Sequence, residues 1–345
     1  MERRKFLQMM GATAAGGLVL PAGRSWASPK VRSGGRRPSS SGTEKIVLVQ
    51  NAWTASALNV AIAKLLIEQN LGNEVELTTI DENTMFAGLA AGDLDACLEL
   101  WPSGITADEQ AYLDDGDVVE IGELGAVGRI GWYVPQYVQD AYPETATWEA
   151  FKDPDLCREF ASAETGDRGR FLGTDPSYSQ YDESIIANLE LELQVVYSGS
   201  EAATVAALDS AVASETPILM YWWVPTATAA QYDLVQVELP EYTEECYADP
   251  ADVACAYPED TLQKVASSAL ADKDAAVYEF LQRFTMTNDD QIAMLPAVEI
   301  EGEDAADIAA TWVEEHEAVW GPWFEPAGAD STDAEAEVST ATTDA

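Results

Sequence analysis

The sequence predicts an α/β protein of two lobes, with a ligand cleft and a hinge between them. Short apolar segments rich in strand formers alternate with segments of helical periodicity. The alternation resumes after residue 138, and residues 244–324 are mostly helical in pattern. Such alternation is typical of a mostly parallel sheet with right-handed connections. Because the last segments are expected to return to the first lobe, the chain crosses between the lobes twice, which is the layout of a hinged cleft.

The first lobe is expected over residues 45–138, which begin in a βαβαβ order. Thr54 or Ser56 caps the first helix, and Gly72 and Gly92 follow the first two helices as stop signals. Each strand is an apolar run closed by turn residues. The expected elements are a strand at 44–53, a helix at 57–69, a strand at 75–80, a helix at 82–91, and strands at 94–100, 118–124 and 129–138.

The second lobe is expected over residues 139–243, where the alternation repeats. A Ser-Gly-Ser turn at 198–200 separates its two helices. Its elements are a strand at 171–176, helices at 181–193 and 201–214, and a strand at 217–225. Residues 244–324 are expected to pack back on the first lobe, with helical segments at 261–295 and 305–323.

The charge of the chain excludes several classes of partner. The sequence has 18 Lys and Arg against 61 Asp and Glu, a net charge of −43. Such a surface repels nucleic acid and anionic lipid, so no nucleic-acid function is expected. The carboxylates are spread along the whole chain, which favours a protein adapted to a high-salt habitat, and attraction of cations is the alternative.

The N-terminus has the pattern of a twin-arginine export signal over residues 1–27. Arg3 and Arg4 precede an apolar stretch at 9–20, and small residues follow up to Ala27. The apolar stretch is too short for a spanning helix, which needs roughly 20 apolar residues. We therefore expect export by the twin-arginine pathway to the periplasm or the extracellular side.

Two flanking segments are predicted to lie outside the folded part. Residues 28–44 are rich in Gly, Ser, Pro and Arg and predict a flexible linker. Residues 325–345 are small, acidic and free of aromatic residues, and they predict a disordered tail. No cysteine lies near the expected cleavage region, so any association with the membrane is expected through a partner or an uncleaved signal.

The cysteines and the one histidine limit the chemistry that the chain can support. Cys246 and Cys255 flank a polar loop with an Asp-Pro turn, and in an oxidising compartment we expect them to form a disulfide. Cys97 lies in an apolar strand and is expected to be a buried thiol. No CxxC pair or nucleophile motif occurs, and His316 is the only histidine. No metal, cofactor or enzyme mechanism is therefore expected.

Tryptophans lie where predicted strands end. Trp53 ends the first strand, Trp101 follows GDLDACLEL, and Trp223 lies in PILMYWWVP. Open α/β sheets bind ligands at the carboxyl ends of their strands, and several indole faces around one point suit a quaternary ammonium ion. Trp222 is expected to point to the opposite face and to pack. Core packing of all these rings is the alternative.

A turn in the second lobe is expected to add polar groups to this ligand site. The segment GTDPSYSQYDES places Tyr178 and Tyr181 beside the start of a helix. The N–H groups of such a turn and helix start favour a carboxylate or a hydroxyl group. An ordinary capped helix with surface tyrosines is the alternative.

The segments GDLDACLELWPSG, GWYVPQYV, GTDPSYSQYDES and PILMYWWVP resemble, in order over residues 45–324, the substrate-binding proteins of glycine betaine/proline betaine ABC importers. The resemblance implies a two-lobed periplasmic-binding-protein fold of type II. It implies capture of glycine betaine or a related quaternary-ammonium compatible solute for osmoprotectant uptake. It also implies a monomeric binding protein, not an enzyme, whose partners are an ABC permease and its ATPase.

The resemblance assigns site residues as well. In this family an aromatic cage holds the trimethylammonium group, and backbone amides hold the carboxylate. The matching positions are Trp101, Tyr178 and Trp223 for the cage and Ser179 and Gln180 for the amides. Trp53 has no such match, and its place at the end of the first strand predicts a further wall of the cage.

One departure leaves the ligand open. Some family members have a carboxylate-binding histidine four residues beyond the first tryptophan, where this chain has Ile105. Choline, proline betaine, carnitine, ectoine-like zwitterions and a sulfonium analogue are alternatives to glycine betaine. Two other functions are alternatives to transport, namely an exported enzyme acting on a quaternary amine or choline ester and a sensory module that presents its closed form to a receptor.

Overall fold

The computed structural model describes residues 44–178 and 180–325, except for the side chain of Asn83. The predicted export signal, the linker up to residue 43, Ser179 and the tail beyond residue 325 lie outside the described residues. Within the described residues, one sheet contains the strands β1 (Ile46–Gln50), β2 (Val75–Thr79), β3 (Ala96–Leu100), β4 (Val118–Pro135), β5 (Gly169–Gly173), β6 (Leu193–Tyr197), β7 (Leu219–Val224), β8 (Leu234–Gln236) and β9 (Glu259–Ser267).

Helices connect these strands, and several have side-chain caps of the expected kind. The Ser200 hydroxyl accepts a hydrogen bond from the N–H of Ala203, and Thr106 and Glu109 form a capping box. The helices are α1 (Thr54–Asn70), α2 (Glu82–Ala91), α3 (Ala107–Asp114), α4 (Gln136–Ala141), α5 (Pro154–Glu159), α6 (Asp182–Asn188), α7 (Glu201–Ser214), α8 (Ala227–Gln231), α9 (Leu270–Lys273), α10 (Ala275–Arg283), α11 (Asn288–Glu299), α12 (Ala305–Glu315) and α13 (Glu317–Trp320). No helix among the described residues has the length and apolar character needed to cross a lipid bilayer.

The strand order is β2-β1-β3-β9-β4-β7-β5-β6, with β8 paired to β4. Strands β2, β1 and β3 are parallel and form a first parallel group, and β7, β5 and β6 form a second parallel group. Between them, β9 and β4 pair antiparallel with each other and with their neighbours. The prediction of a mostly parallel sheet therefore describes the two groups and is wrong for the centre that joins them.

Strand β9 corrects the sequence-based prediction of a helix after residue 261. Its segment EDTLQKVAS lies between β3 and β4, with Leu262, Val265 and Ala266 buried. The buried ammonium group of Lys264 donates to the carbonyl oxygens of Leu281 (2.9 Å), Gln282 (3.0 Å) and Phe284, around the end of α10. Pairing on both edges decides the conformation of such a segment, and a local pattern does not contain that information.

Two further boundaries differ from the sequence prediction. The strands expected at 118–124 and 129–138 are one strand, β4, whose pairing with β9 shifts register twice around Gly122 and Gly125, both at positive φ. The helix expected at 181–193 ends at Asn188, and β6 follows it. Bulges with glycine at positive φ let a long strand bend without ending.

The core lies on the faces of the sheet, and α1 is the most deeply buried helix. It packs between β1, β2 and β3 on one side and α11 and α12 on the other. Cys246 and Cys255 form a disulfide with their Cα atoms 6.5 Å apart, and the thiols of Cys97 and Cys157 are free and buried.

Candidate functional site

A small aromatic cleft is lined by residues from both parallel groups of strands and from β4, which lies between the groups. It contains about 380 Å³ of space, counted with its open mouth. The described residues that line it are Trp53, Glu82, Trp101, Gly104, Ile130, Tyr178, Tyr221 and Trp223.

Four of these rings come from four different chain segments, each near the end of a strand. Trp53 follows β1 and precedes α1, and Trp101 follows β3. Tyr178 lies in the turn after β5, and Trp223 is the last residue but one of β7. Because β1 is parallel to β3 and β5 is parallel to β7, each parallel group brings two rings to one edge of the sheet.

The rings form walls around the cleft. Tyr178 stands between two of the tryptophans, with its ring centroid 5.5 Å from that of Trp53 and 6.1 Å from that of Trp223, and both pairs are close to perpendicular. Tyr221 lies 6.2 Å from Trp223. The Tyr178 hydroxyl donates to the carbonyl oxygen of Ala52 at 3.0 Å. Edge-to-face packing holds each ring at a fixed angle to its neighbours.

A buried carboxyl group, Glu99 of β3, positions the rings on the side of the first parallel group. Its Oε1 accepts the indole N–H of Trp53 at 2.6 Å and that of Trp101 at 3.3 Å, and its Oε2 accepts from the Asn59 amide at 2.7 Å. Glu99 is 1% exposed. Burial raises its pKa to about 7, although the three donors oppose that shift.

Gly128 of β4 provides the space for Trp101. A Cβ atom built on Gly128 would lie 2.2 Å from Cη2 and 2.3 Å from Cζ3 of the indole. No side chain fits between the strand and the ring, so the six-membered ring of Trp101 lies directly on the backbone of the strand.

Three carboxylate or carbonyl groups join distant parts of the chain beside the cleft. Glu201, the first residue of α7, accepts from the N–H and the hydroxyl of Thr54 at 3.0 and 3.1 Å. Glu299 accepts in the same way from Thr228 at 2.9 and 3.0 Å. The hydroxyl of Tyr181 donates to the carbonyl oxygen of Ser103 at 3.4 Å. The contacts of Thr54 with Glu201 and of Tyr181 with Ser103 join segments that follow strands of the first parallel group to segments of the second.

The structure describes Gln180 but not Ser179, the two residues that the family resemblance assigned to carboxylate binding. Ser179 lies outside the described residues. The Gln180 amide donates to the carbonyl oxygen of Asp175 at 2.6 Å, and its own Oε1 is buried without a hydrogen-bond partner in the described structure. Gln180 is not among the described residues that line the cleft. Ile105 packs against the apolar cluster around α2 and is not among the described residues that line the cleft.

Two other expectations about aromatic residues have a clear outcome. Trp222 is fully buried and donates to Thr226 Oγ1 at 2.9 Å, but its ring stacks on Trp223 at 4.4 Å. The expectation of opposite faces is wrong, because strand alternation fixes the direction of Cβ and not the final position of a long side chain. His316 stacks on Trp312 at 4.8 Å, far along the chain from the cleft residues.

Sequence reasoning missed Tyr221, Glu82, Ile130 and the supporting Glu99. For Tyr221 the signal was present, because residues two apart on a strand share a face and Trp223 was already assigned. For Glu99 the signal was an acidic residue within an apolar strand. Among the described residues, no group of three or more His, Cys, Asp or Glu side chains is arranged to hold a metal ion.

The chain is similar to proteins that bind small methylated amines. A family model described as the substrate binding domain of ABC-type glycine betaine transport system matches residues 44–315, more than three quarters of the sequence. The trimethylamine N-oxide-binding protein of Pelagibacter ubique is 23% identical over 287 residues, which cover 81% of this chain and 90% of that protein.

Solved structures share the fold at low sequence identity. Lactococcal OpuAC, closed on glycine betaine, has a TM-score of 0.63 at 20% identity and covers 82% of this chain and 100% of its own. ProX from Borrelia burgdorferi has a TM-score of 0.65 at 17% identity, over 81% and 96% of the two chains. A choline-binding protein of an ABC transporter, in complex with choline, has a TM-score of 0.66 at 18% identity. The match covers 81% of this chain and 91% of that protein.

Proposed function

The chain belongs to the family of substrate-binding domains of ABC-type glycine betaine transport systems, and we propose that its aromatic cleft captures a quaternary ammonium solute. It is a solute-binding protein for betaine- or choline-like compounds with the two-lobed fold of periplasmic binding proteins. Within that class, glycine betaine or a related compatible solute is the proposed ligand. Uptake of an osmoprotectant is the proposed role.

The arrangement of Trp53, Trp101, Tyr178 and Trp223 around one small cleft carries this proposal. A trimethylammonium group has no hydrogen to donate, so a ring face is the protein group that recognises it best. Each desolvated ring contributes on the order of 1–2 kcal/mol, and three rings roughly 3–6 kcal/mol. With ordering costs subtracted and polar contacts added, a dissociation constant of about 1 μM is expected.

Delivery of the solute to a membrane permease completes the proposed function. In this proposal, the contacts from Thr54 to Glu201 and from Tyr181 to Ser103 hold the cleft closed around the solute. A permease that binds the closed form and an ATPase that drives it are the proposed partners. The twin-arginine sequence and the acidic composition support export into a salty exterior.

The lobe boundaries expected from the sequence fit this proposal. Residues 45–138 and 244–324 would form one lobe and residues 139–243 the other. On that division, Trp53 and Trp101 belong to the first lobe, and Tyr178 and Trp223 belong to the second. A solute in the cleft would then contact rings from both lobes, which is how ligand binding favours the closed form.

Isothermal titration calorimetry of residues 28–345 in high-salt buffer tests the proposal. The solutes are glycine betaine, proline betaine, choline, carnitine and ectoine, each with the wild type and with Trp223→Ala. Micromolar binding of at least one quaternary ammonium solute, weakened at least tenfold in Trp223→Ala, supports the aromatic cage. Trp148→Ala is the matched control, because Trp148 lies outside the cleft next to Lys152.

Absence of heat with all five solutes, on protein whose cooperative unfolding shows that it is folded, would refute the proposed ligand class. Equal weakening by Trp148→Ala would show a general loss of stability and no specific cage. Turnover of choline or its esters would favour an enzyme instead.

A further inference from the structure

Most of the side-chain hydrogen-bond donors around the cleft are engaged within the protein. The lining residues that have such a donor are Trp53, Trp101, Tyr178, Tyr221 and Trp223. The indole N–H groups of Trp53 and Trp101 both donate to Glu99. The Tyr178 hydroxyl donates to the carbonyl oxygen of Ala52 at 3.0 Å. These donors hold the rings in place and are not available to a solute.

The Tyr221 hydroxyl and the Trp223 indole N–H are the exceptions. The side-chain hydrogen bonds to these two residues reach their backbone carbonyl oxygens, and among the described residues neither side-chain donor has a partner. Tyr221 is 3% exposed and Trp223 is 6% exposed. The polar side-chain atoms that are completely buried without a partner belong to other residues, so both donors can be reached from the cleft that the two residues line.

Strand β7 brings the two donors to the same side of the cleft. Residues two apart on a strand have side chains on the same face, and the ring centroids of Tyr221 and Trp223 are 6.2 Å apart. The wall formed by Trp53 and Trp101 offers no side-chain donor, because Glu99 accepts from both indoles. The cleft is therefore asymmetric, with its unengaged O–H and N–H groups on the β7 side.

The Tyr221 hydroxyl keeps its proton at any pH near neutral. Burial raises the pKa of the phenol well above its usual value, and the charge of Asp182 is the next cause. The carboxyl group of Asp182 accepts from Trp132 at 2.6 Å and from Tyr257 at 3.2 Å, and not from Tyr221. An indole N–H is a donor only. Both groups on β7 can therefore donate to an oxygen atom of a solute.

A donor in a poorly hydrated cleft discriminates between solutes. A solute with an oxygen acceptor replaces the water that the donor loses when the cleft closes, whereas a solute without one leaves the donor unpaired. A negatively charged oxygen forms a stronger hydrogen bond than a neutral one. The ring faces attract a methylated ammonium group in either case, so they do not supply this discrimination.

We propose that Tyr221, with the indole N–H of Trp223 beside it, binds the negatively charged oxygen of a zwitterionic methylated amine and makes the cleft select such zwitterions over cations that have methyl groups only. The carboxylate of a betaine and the oxide of an amine N-oxide share this chemistry. This inference rests on the proposed function, because it concerns the ligand of the same cleft. It adds an oxygen-binding residue that the family resemblance did not assign.

A structural role of the Tyr221 hydroxyl makes a different prediction. The ring of Tyr221 packs against that of Tyr257, which donates to Asp182, and Oδ2 of Asp182 is buried without a partner in the described structure. If the Tyr221 hydroxyl only stabilised this buried carboxyl group, its removal would weaken all solutes by the same factor. The ratio of affinities for solutes with and without an oxygen therefore separates the two roles.

Calorimetric titration of residues 28–345 with trimethylamine N-oxide, glycine betaine and tetramethylammonium tests the inference. The N-oxide and tetramethylammonium are matched in shape, because an oxygen in one replaces a methyl group in the other. We expect the wild type to bind both zwitterions at least tenfold more tightly than tetramethylammonium. Tyr221→Phe keeps the ring and removes the hydroxyl. It is expected to weaken the zwitterions at least tenfold and tetramethylammonium less than twofold.

Tyr178→Phe is the matched control. It makes the same substitution in the same cleft, but the hydroxyl that it removes is engaged with Ala52. It should change the three affinities by a common factor and leave their ratios within a factor of two. Cooperative thermal unfolding of each variant checks that it is folded.

The outcomes separate the inference from the proposed function. Wild type that binds tetramethylammonium as tightly as both zwitterions would overturn the inference and leave the proposed function standing. Unchanged affinity ratios in Tyr221→Phe would do the same. A loss for only one of the zwitterions would support the inference and identify the oxygen as carboxylate or oxide. Absence of binding of all three solutes to folded wild type would refute the proposed function, and the inference with it.

Discussion

The six-membered ring of Trp101 lies on the backbone of Gly128, so closely that a Cβ on Gly128 would be 2.2 Å from Cη2 of the indole. The opposite edge of the same indole donates its N–H to Glu99 at 3.3 Å. Trp101 is thus held between a strand backbone and a buried carboxyl group. One wall of the cleft has its position fixed before any ligand arrives, which lowers the ordering cost of binding.

Replacing Gly128 by alanine is expected to weaken ligand binding at least tenfold. The added methyl group must displace the Trp101 ring, because a strand backbone cannot move away from it cheaply. Calorimetric titration measures the affinity, and near-ultraviolet circular dichroism reports the moved indole. Gly321→Ala is the control, since a Cβ there meets nothing within 4 Å. Full affinity in Gly128→Ala would show that Trp101 is not a ligand contact.

Glu99 is expected to make the stability of the protein depend on pH. Its pKa is raised from 4.5 to about 7 by burial, so the folded protein keeps a proton that the unfolded chain releases over this range. Stability then falls as the pH rises from about 4.5 to 7. A shift of this size corresponds to about 3 kcal/mol for Glu99 alone.

The Glu99→Gln variant removes that proton equilibrium. Relative to wild type, it should gain up to about 3 kcal/mol in the free energy of unfolding between pH 5 and pH 8. The buried Oδ1 of Asn59, which has no partner in the described structure, is available to accept from the new amide. Urea unfolding at the two pH values measures the difference. A constant difference, equal to that of the exposed control Glu120→Gln, would contradict the prediction.

The hydrogen bonds from Thr54 to Glu201 are expected to hold the cleft closed. Thr54→Val keeps the shape of the side chain but removes the hydroxyl donor at 3.1 Å. Burial raises the pKa of Glu201 to about 7, so its carboxylate is mostly charged at pH 8. A hydrogen bond to a charged group contributes about 1.5–3 kcal/mol, so Kd at pH 8 should rise about tenfold through faster dissociation. Stopped-flow tryptophan fluorescence measures that rate. Thr54→Ser retains the donor and should behave as wild type, and a similar loss in both variants would exclude the hydroxyl as the cause.

The disulfide between Cys246 and Cys255 is expected to stabilise the fold without affecting the ligand site directly. Replacing both by serine should lower the free energy of unfolding by about 2–3 kcal/mol, as for a short closed loop. Thermal unfolding with and without reductant measures this. Reductant should lower the Tm of wild type and leave that of the double variant unchanged, because Cys97 and Cys157 are already free. A reductant-sensitive double variant would contradict this account.

The parts of the fold that depend only on residues close together in the sequence were predictable. Strand β1 with helix α1, α2 with β3, and α7 with β7 follow local rules, because apolar runs, caps and closing glycines lie together in the chain. Strand β9 was not predictable in this way. Its segment is a strand because β3 and β4, more than a hundred residues earlier, pair with both of its edges.

The same distinction applies to the site. Trp53, Trp101 and Trp223 were identified because each stands at the end of a predicted strand, and the structure brings them together with Tyr178. Glu82 was not identified, since its place in the cleft depends on how α2 is oriented over the sheet. Gly128 is a similar case, because only the position of Trp101 explains why no side chain is tolerated there.

The insertion of β9 between β3 and β4 has a consequence for how the chain is made. Strands β4 to β8 lie within residues 118–236, so the second parallel group is complete while the C-terminal part is still being synthesised. Until residues 259–267 emerge, β3 and β4 each present an open edge, which is a template for pairing with other chains. The part of the protein that is synthesised first is therefore the part whose sheet closes last, and a nascent chain stalled before β9 is the form most exposed to aggregation.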